Sequence, residues 1–137
     1  MNNFTFKTTT APSTHEIDFL TQKINEEAES SGKAYPFAIH VQDETGEMIA
    51  GCNGSIIFGA IYTDQLWVHP AQRGKGIGVK LMQHVHAFGK EQGCKLATVT
   101  TMSFQAPGFY EKLGYTIDFS QEGYENNSTC VYLSRNL

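Results

Sequence analysis

One stretch limits this chain more than any other: Leu66-Trp67-Val68-His69-Pro70-Ala71-Gln72-Arg73-Gly74-Lys75-Gly76-Ile77-Gly78. A short apolar strand ends at His69-Pro70, a basic, glycine-spaced loop follows, and a helix rich in Leu, Met and Val opens at Ile77. Strand, tight loop and helix in that order form the first half of a parallel strand–helix–strand crossover, so the chain must contain an α/β unit. Gly74, Gly76 and Gly78 strip side chains from the loop and let successive backbone N–H groups converge on an anion. The helix start adds the positive end of its dipole, and Arg73 and Lys75 add full charge. The ligand group this predicts is a phosphate.

Two better-known glycine loops do not fit. A Walker loop needs Ser or Thr after its lysine, and Gly76 follows Lys75. A dinucleotide fingerprint needs Gly-x-Gly-x-x-Gly and an acidic residue ending a following strand about twenty positions on, and neither is present.

Around this loop the periodicity predicts a full domain. Phe4 to Thr10 alternates as a first strand, stopped by Pro12. Ser13 or Thr14 caps a helix carrying Ile17, Leu20 and Ile24 on one stripe with Phe19 beside it, ending at Gly32. Tyr35 to Val41 reads as a strand, Asp43 to Gly46 as a turn, and a second strand runs through Ile49 and Ile56 to Phe58, weakened by Gly51 and Gly54. Ile61 to Val68 is the central strand. Ile77 to Lys90 is the strongest helix, with Leu81, Met82, Val85 and Phe88 at helical spacing. Lys95 to Met102 is a strand, Pro107 to Leu113 a short helix, and Tyr115 to Phe119 with Thr129 to Leu133 a closing antiparallel pair. The expected fold class is α/β: a mixed, mostly antiparallel sheet of about six to seven strands, flanked by about three to four helices, with one central parallel crossover.

At 137 residues the chain is expected to be one domain, residues 1–137. A net charge of −4 argues against a nucleic-acid binder. No apolar run approaches about eighteen residues and Met1 to Thr14 is polar, so neither a membrane span nor a signal peptide is expected, and the cytoplasm is the expected location. Cys52, Cys94 and Cys130 are odd in number and far apart, which reads as reduced, buried thiols. His84 and His86 lie about 200° apart on their helix and cannot chelate one ion together, so no metal is expected.

The spacing Arg73-x-x-Gly76-x-Gly78 resembles the pyrophosphate-binding motif of the GNAT superfamily of N-acetyltransferases. Val68 and Pro70 stand where that family ends its central strand. Phe109-Tyr110-Glu111-Lys112-Leu113-Gly114-Tyr115 is similar to its carboxy-terminal helix signature, and the match runs from about Asp64 to Tyr115.

The resemblance implies acetyl-CoA as co-substrate. The loop from Arg73 through Gly74, Lys75, Gly76 and Ile77 to Gly78 would hold the pyrophosphate, and the backbone of Leu66, Trp67 and Val68 the pantetheine arm. It also implies Tyr110 as general acid to the leaving thiolate, since a phenol with a pKa of about 10 stays protonated at neutral pH. A backbone N–H near Val68 would meet the oxyanion. Asp64, on a regular strand, shares a face with Leu66 and Val68 and is a candidate base; His40, His69, Glu44 or no dedicated base are the alternatives. Many relatives carry Asn as a cofactor contact where this chain has Ser103, whose hydroxyl has shorter reach.

The expected function is transfer of acetyl from the thioester to a primary amine, of a small molecule or of a protein lysine or N-terminus, by direct attack in a ternary complex. A non-catalytic acyl-CoA-binding or regulatory module is the alternative. The acceptor is not legible, and the last two strands could pair across a homodimer.

Overall fold

The computed structural model describes residues 3–137. Among them the elements are α1 (Thr14–Ala28), β1 (Ala34–Gln42), β2 (Met48–Ile57), β3 (Ala60–Val68), α2 (Ile77–Glu91), β4 (Leu96–Met102), α3 (Pro107–Lys112), β5 (Thr116–Gln121) and β6 (Cys130–Asn136). The strands form one sheet in the order β1-β2-β3-β4-β6-β5. Every pair is antiparallel except β3 with β4, which α2 joins as the expected crossover.

The core lies between α2, α3 and one face of the sheet. Leu81, Met82 and Val85 from α2 are buried against Ile61, Val99 and Leu133. Gly89 permits this approach: a Cβ there would come within 2.8 Å of Ile61 Cγ2. The opposite face is largely open, with Pro36, Ala38, His40 and Asn53 exposed along it.

One expectation about the amino-terminal region fails. Phe4 to Thr10 forms no strand; Phe4 and Phe6 are exposed and no ladder partner lies alongside. Alternation supplies propensity, but a strand exists only through cross-strand pairing. The helix of Thr14–Ala28 forms, with Ser13 and Glu16 closing a capping box. Its apolar stripe, however, stays in solvent: Ile17, Leu20 and Ile24 are each about half exposed. The helix is tied to β1 by Asn25, whose side chain donates to Ala34 O at 2.8 Å and accepts from Ala34 N at 2.7 Å.

The register of β2 on β3 shifts between Asn53 and Gly54. Asn53 pairs with Gln65 and Gly54 with Thr63, so Asp64 is the extra residue of a bulge. Gly54 makes room for it, since a Cβ there would overlap Tyr62 O. The glycine that weakens the strand on paper is what allows the irregularity.

Candidate active site

The glycine-spaced loop borders a concavity. His69 N–H makes the last rung to Ile49 O at 2.7 Å, and Pro70–Gln72 then coil into a single 3₁₀ turn. His69 Nδ1 accepts the Ala71 N–H at 3.0 Å, which commits that ring to capping the turn. Gly74 and Gly76 both adopt left-handed backbone, φ +77° and +80°, which an L side chain would strain. Gly76 is the N-cap of α2 and offers no side chain; the first helical bond runs from Lys80 N–H to Gly76 O. The N–H groups of Ile77, Gly78 and Val79 are therefore left as donors. They border a cavity of about 480 Å³ that Arg73, Val68 and Phe109 also line. Arg73 is braced by its Nε, which donates to Val68 O at 2.9 Å. Lys75 lies outside this cavity, its ammonium turned 3.4 Å from Gln72 Oε1.

The strands then fork. β3 and β4 pair only from Ala60/Leu96 to Thr63/Val99. Beyond Thr63 the β4 side of β3 carries no ladder, while β4 stays paired with β6 up to Met102/Cys130. A second cavity of about 660 Å³ occupies this fork, bordered by Asp64, Thr100, Tyr110 and Cys52. Leu66, Trp67, Ala106 and Phe109 line both cavities, which makes them one cleft.

Tyr110 enters this cleft from α3, which Pro107 starts. It is 7% exposed, with its ring edge-on to Phe109 and to Tyr115 at centroid distances of 5.1 and 5.6 Å. Burial, reinforced by the neighbouring Cys52 and Tyr62, pushes its phenol up to about 12, so it holds its proton at neutral pH. Burial likewise pushes the Cys52 thiol up to about 11. Asp64 is exposed on the open face, not beside Leu66 and Val68 as a regular strand would have it, because the bulge alters the alternation. Its carboxylate accepts from Tyr62 Oη at 3.3 Å, and Tyr62 Oη is also 3.0 Å from Thr100 Oγ1.

The cleft thus gathers Leu66, Trp67, Val68, Arg73, Gly74, Gly76, Ile77, Gly78, Asp64 and Tyr110. Ser103 is not brought in. It is exposed, its Oγ accepts from Thr129 N at 3.1 Å, and its N–H donates to Thr129 O, a clasp between β4 and β6. Several residues that line the cleft carry no motif: Asn53 and Gln65, bonded at 2.8 Å across the bulge, and Met48, Thr101 and Gln105. The one trace of them in the chain was Gly54, which marks the bulge that pairs Asn53 with Gln65.

His86 is buried behind Tyr115. It is 6% exposed, with Nε2 at 2.8 Å from Tyr115 Oη and Nδ1 at 3.2 Å from Arg135 Nη1. Burial first, then the charges of Arg135 and Lys90, lower its pKa to about 4. The three cysteines are free and buried. Among the described residues no helix is long and apolar enough to cross a membrane.

Comparison with known proteins bears directly on this cleft. A family model described as an acetyltransferase (GNAT) domain matches residues 36–117, a span from β1 to the start of β5 that contains the loop, the fork and α3. Blasticidin-S acetyltransferase of Streptomyces morookaense is 34% identical over 102 residues, covering 74% of this chain and 75% of that one. A crystal structure of an acetyltransferase from Bacillus cereus ATCC 14579 superposes with a TM-score of 0.76 and 26% identity, over 96% of this chain and 98% of that one. An aminoglycoside 6'-N-acetyltransferase complexed with coenzyme A shares the fold, with a TM-score of 0.65 and 14% identity over 84% of this chain and 78% of that one. With the family model covering more than half of the sequence and the forked cleft in place, this chain belongs to the GNAT family of N-acetyltransferases.

Proposed function

We propose that this chain, as a single domain, moves the acetyl group of acetyl-CoA to the primary amine of a small molecule by direct attack in a ternary complex. The observation that carries this reading is the fork: one cleft runs from the free N–H groups of α2 to Tyr110 and Asp64. Arg73 and the N–H groups of Ile77, Gly78 and Val79 hold the pyrophosphate. The unpaired edge of Leu66–Val68 bonds the amides of the pantetheine arm. A backbone N–H near Val68 faces the oxyanion.

The amine nitrogen attacks the thioester carbonyl carbon, a C–N bond forms, and the C–S bond then breaks. Tyr110 gives its proton to the departing sulfur. Burial pushes this phenol up to about 12, so it keeps its proton at neutral pH and has it to give to the thiolate. Asp64 takes the proton lost by the amine, directly or through water. The free, buried thiols suit a reducing compartment, and the proposed setting is the cytoplasm.

A cleft of about 660 Å³ is of the size that encloses small molecules, which supports a small acceptor over a protein one. The names of the relatives, which act on blasticidin S and on aminoglycosides, point the same way. The test is thiol release from acetyl-CoA across a panel of small amines. Amine-dependent release is expected; tight CoA binding with no amine-dependent release would instead make this the non-catalytic module.

A further inference from the structure

The open face of the sheet carries an aromatic groove to which the proposed proton transfers assign no role. It has a volume of about 670 Å³ and lies over β4, β6 and β5. The rings of Phe119 and Tyr132 stack at 4.3 Å with only 7° between their planes, and form one side. Tyr124 and Ile57 border it as well, and the groove meets solvent: Phe119 is 51% exposed, Tyr124 43% and Ile57 42%. Exposed aromatic area gathered in one concavity marks a binding surface, and an aromatic ring packs favourably on it.

Its position says what covers it. Thr100 lines both this groove and the reacting cleft. Tyr62 lines the groove, and its hydroxyl bonds Asp64 Oδ1 at 3.3 Å and Thr100 Oγ1 at 3.0 Å, so the groove begins beside the candidate base. An acceptor whose amine reaches Asp64 from the Tyr62 side has its remaining atoms directed along this groove.

We infer that the groove binds the flat aromatic body of the acceptor, which makes a primary amine on a short chain from an aromatic ring the favoured substrate class. The inference rests on the proposed acetyl transfer at Asp64 and Tyr110. The ring stacks on the free side of Phe119, extending the Phe119–Tyr132 pair, with Tyr124 beside it. Phe119 is then a specificity residue that contributes to acceptor binding and not to proton transfer.

The experiment compares phenethylamine with butylamine, on the CoA-loaded protein for binding and with acetyl-CoA for turnover. Wild type is expected to favour phenethylamine by roughly tenfold or more in kcat/KM, the discrimination that one well-filled apolar site provides. Phe119→Ala should reduce that ratio to near one, through KM for phenethylamine. Phe119→Leu, which keeps apolar bulk but not the flat ring, should restore only part of it. A ratio near one in wild type, or a ratio unmoved by Phe119→Ala, overturns the groove assignment while leaving acetyl transfer intact. Binding of phenethylamine that Phe119→Ala abolishes, without turnover of either amine, supports the groove and overturns the proposed reaction. A dimer in sedimentation that excludes phenethylamine means a second copy covers this face, and likewise overturns the inference.

Discussion

The two ends of the cleft are made of different material. At the proposed donor end the groups offered to the cofactor are backbone: N–H groups of Ile77, Gly78 and Val79, kept free by a glycine N-cap and shaped by left-handed residues at Gly74 and Gly76. At the proposed acceptor end the groups are side chains from separate elements, Asn53 and Gln65 on β2 and β3, Thr100 on β4, and Tyr110 on α3. A backbone cradle binds any ligand with the same diphosphate, and few substitutions nearby can retune it. A side-chain wall can change its ligand one residue at a time. This contrast explains how a fixed donor can serve varied acceptors, and it assigns different consequences to mutations at the two ends.

The largest effect is expected where both ends meet. Tyr110→Phe keeps the ring against Phe109 and Tyr115 and removes only the hydroxyl, so stability and CoA affinity should hardly change. Turnover should fall by about 10²–10⁴-fold, the usual value of general acid help. Steady-state kinetics with CoA titration in parallel checks this; a kcat within about threefold of wild type in a chemistry-limited regime removes Tyr110 from the mechanism.

At the donor end, Gly76→Val puts a β-branched residue at φ +80° in the cradle. Losing two charge-assisted bonds to phosphate, worth about 1.5–3 kcal/mol each, should weaken CoA by about 100-fold or more. Urea unfolding should show a loss of about 1–3 kcal/mol from backbone strain. Calorimetry finding normal CoA affinity in this variant would contradict the cradle.

At the acceptor end, Asp64→Asn should cost about tenfold in turnover near neutral pH, less than general-base catalysis at its strongest, because the base is exposed and water can substitute. The deficit should grow as pH falls and shrink at high pH, where the amine is already neutral. A pH–rate profile parallel to that of wild type would eliminate Asp64.

The smallest effect on turnover lies in the wall behind Tyr110, which serves both ends. His86 has a folded pKa of about 4 against an ordinary 6.5. Between those values the unfolded chain takes a proton that the folded chain refuses, so stability falls as pH drops from 6.5 toward 4 and levels off below. Unfolding free energies from urea titrations at about pH 7 and about pH 4 should differ by about 3 kcal/mol through this group, and His86→Gln should flatten that slope. An unchanged slope would show that His86 is not the titrating group.

The same contrast decides what was legible in the chain. The donor end is written in consecutive residues: glycine spacing, a proline stop and an apolar helical period all fall within Leu66–Glu91, and the structure follows them almost residue for residue. The acceptor end is assembled by register, which no local pattern carries. Asp64 lost its predicted face to a bulge whose only mark is Gly54. Ser103 occupies the expected position in the motif, yet its hydroxyl is taken by Thr129, a partner 26 residues on. Phe4 to Thr10 had strand propensity without a neighbour to pair with, and α1 had an apolar stripe without a surface to cover.

The account stands on one cleft joining the α2 N-terminus to Tyr110, and amide chemical-shift mapping during a CoA titration tests it most directly. The amides of Gly74 to Val79 and of Leu66 to Val68 should move together and saturate together, with those of Phe109 and Tyr110 following as the thiol end settles in the fork. Shifts concentrated on the open face around Phe119 and Tyr132, or at the loop without the fork, would contradict it.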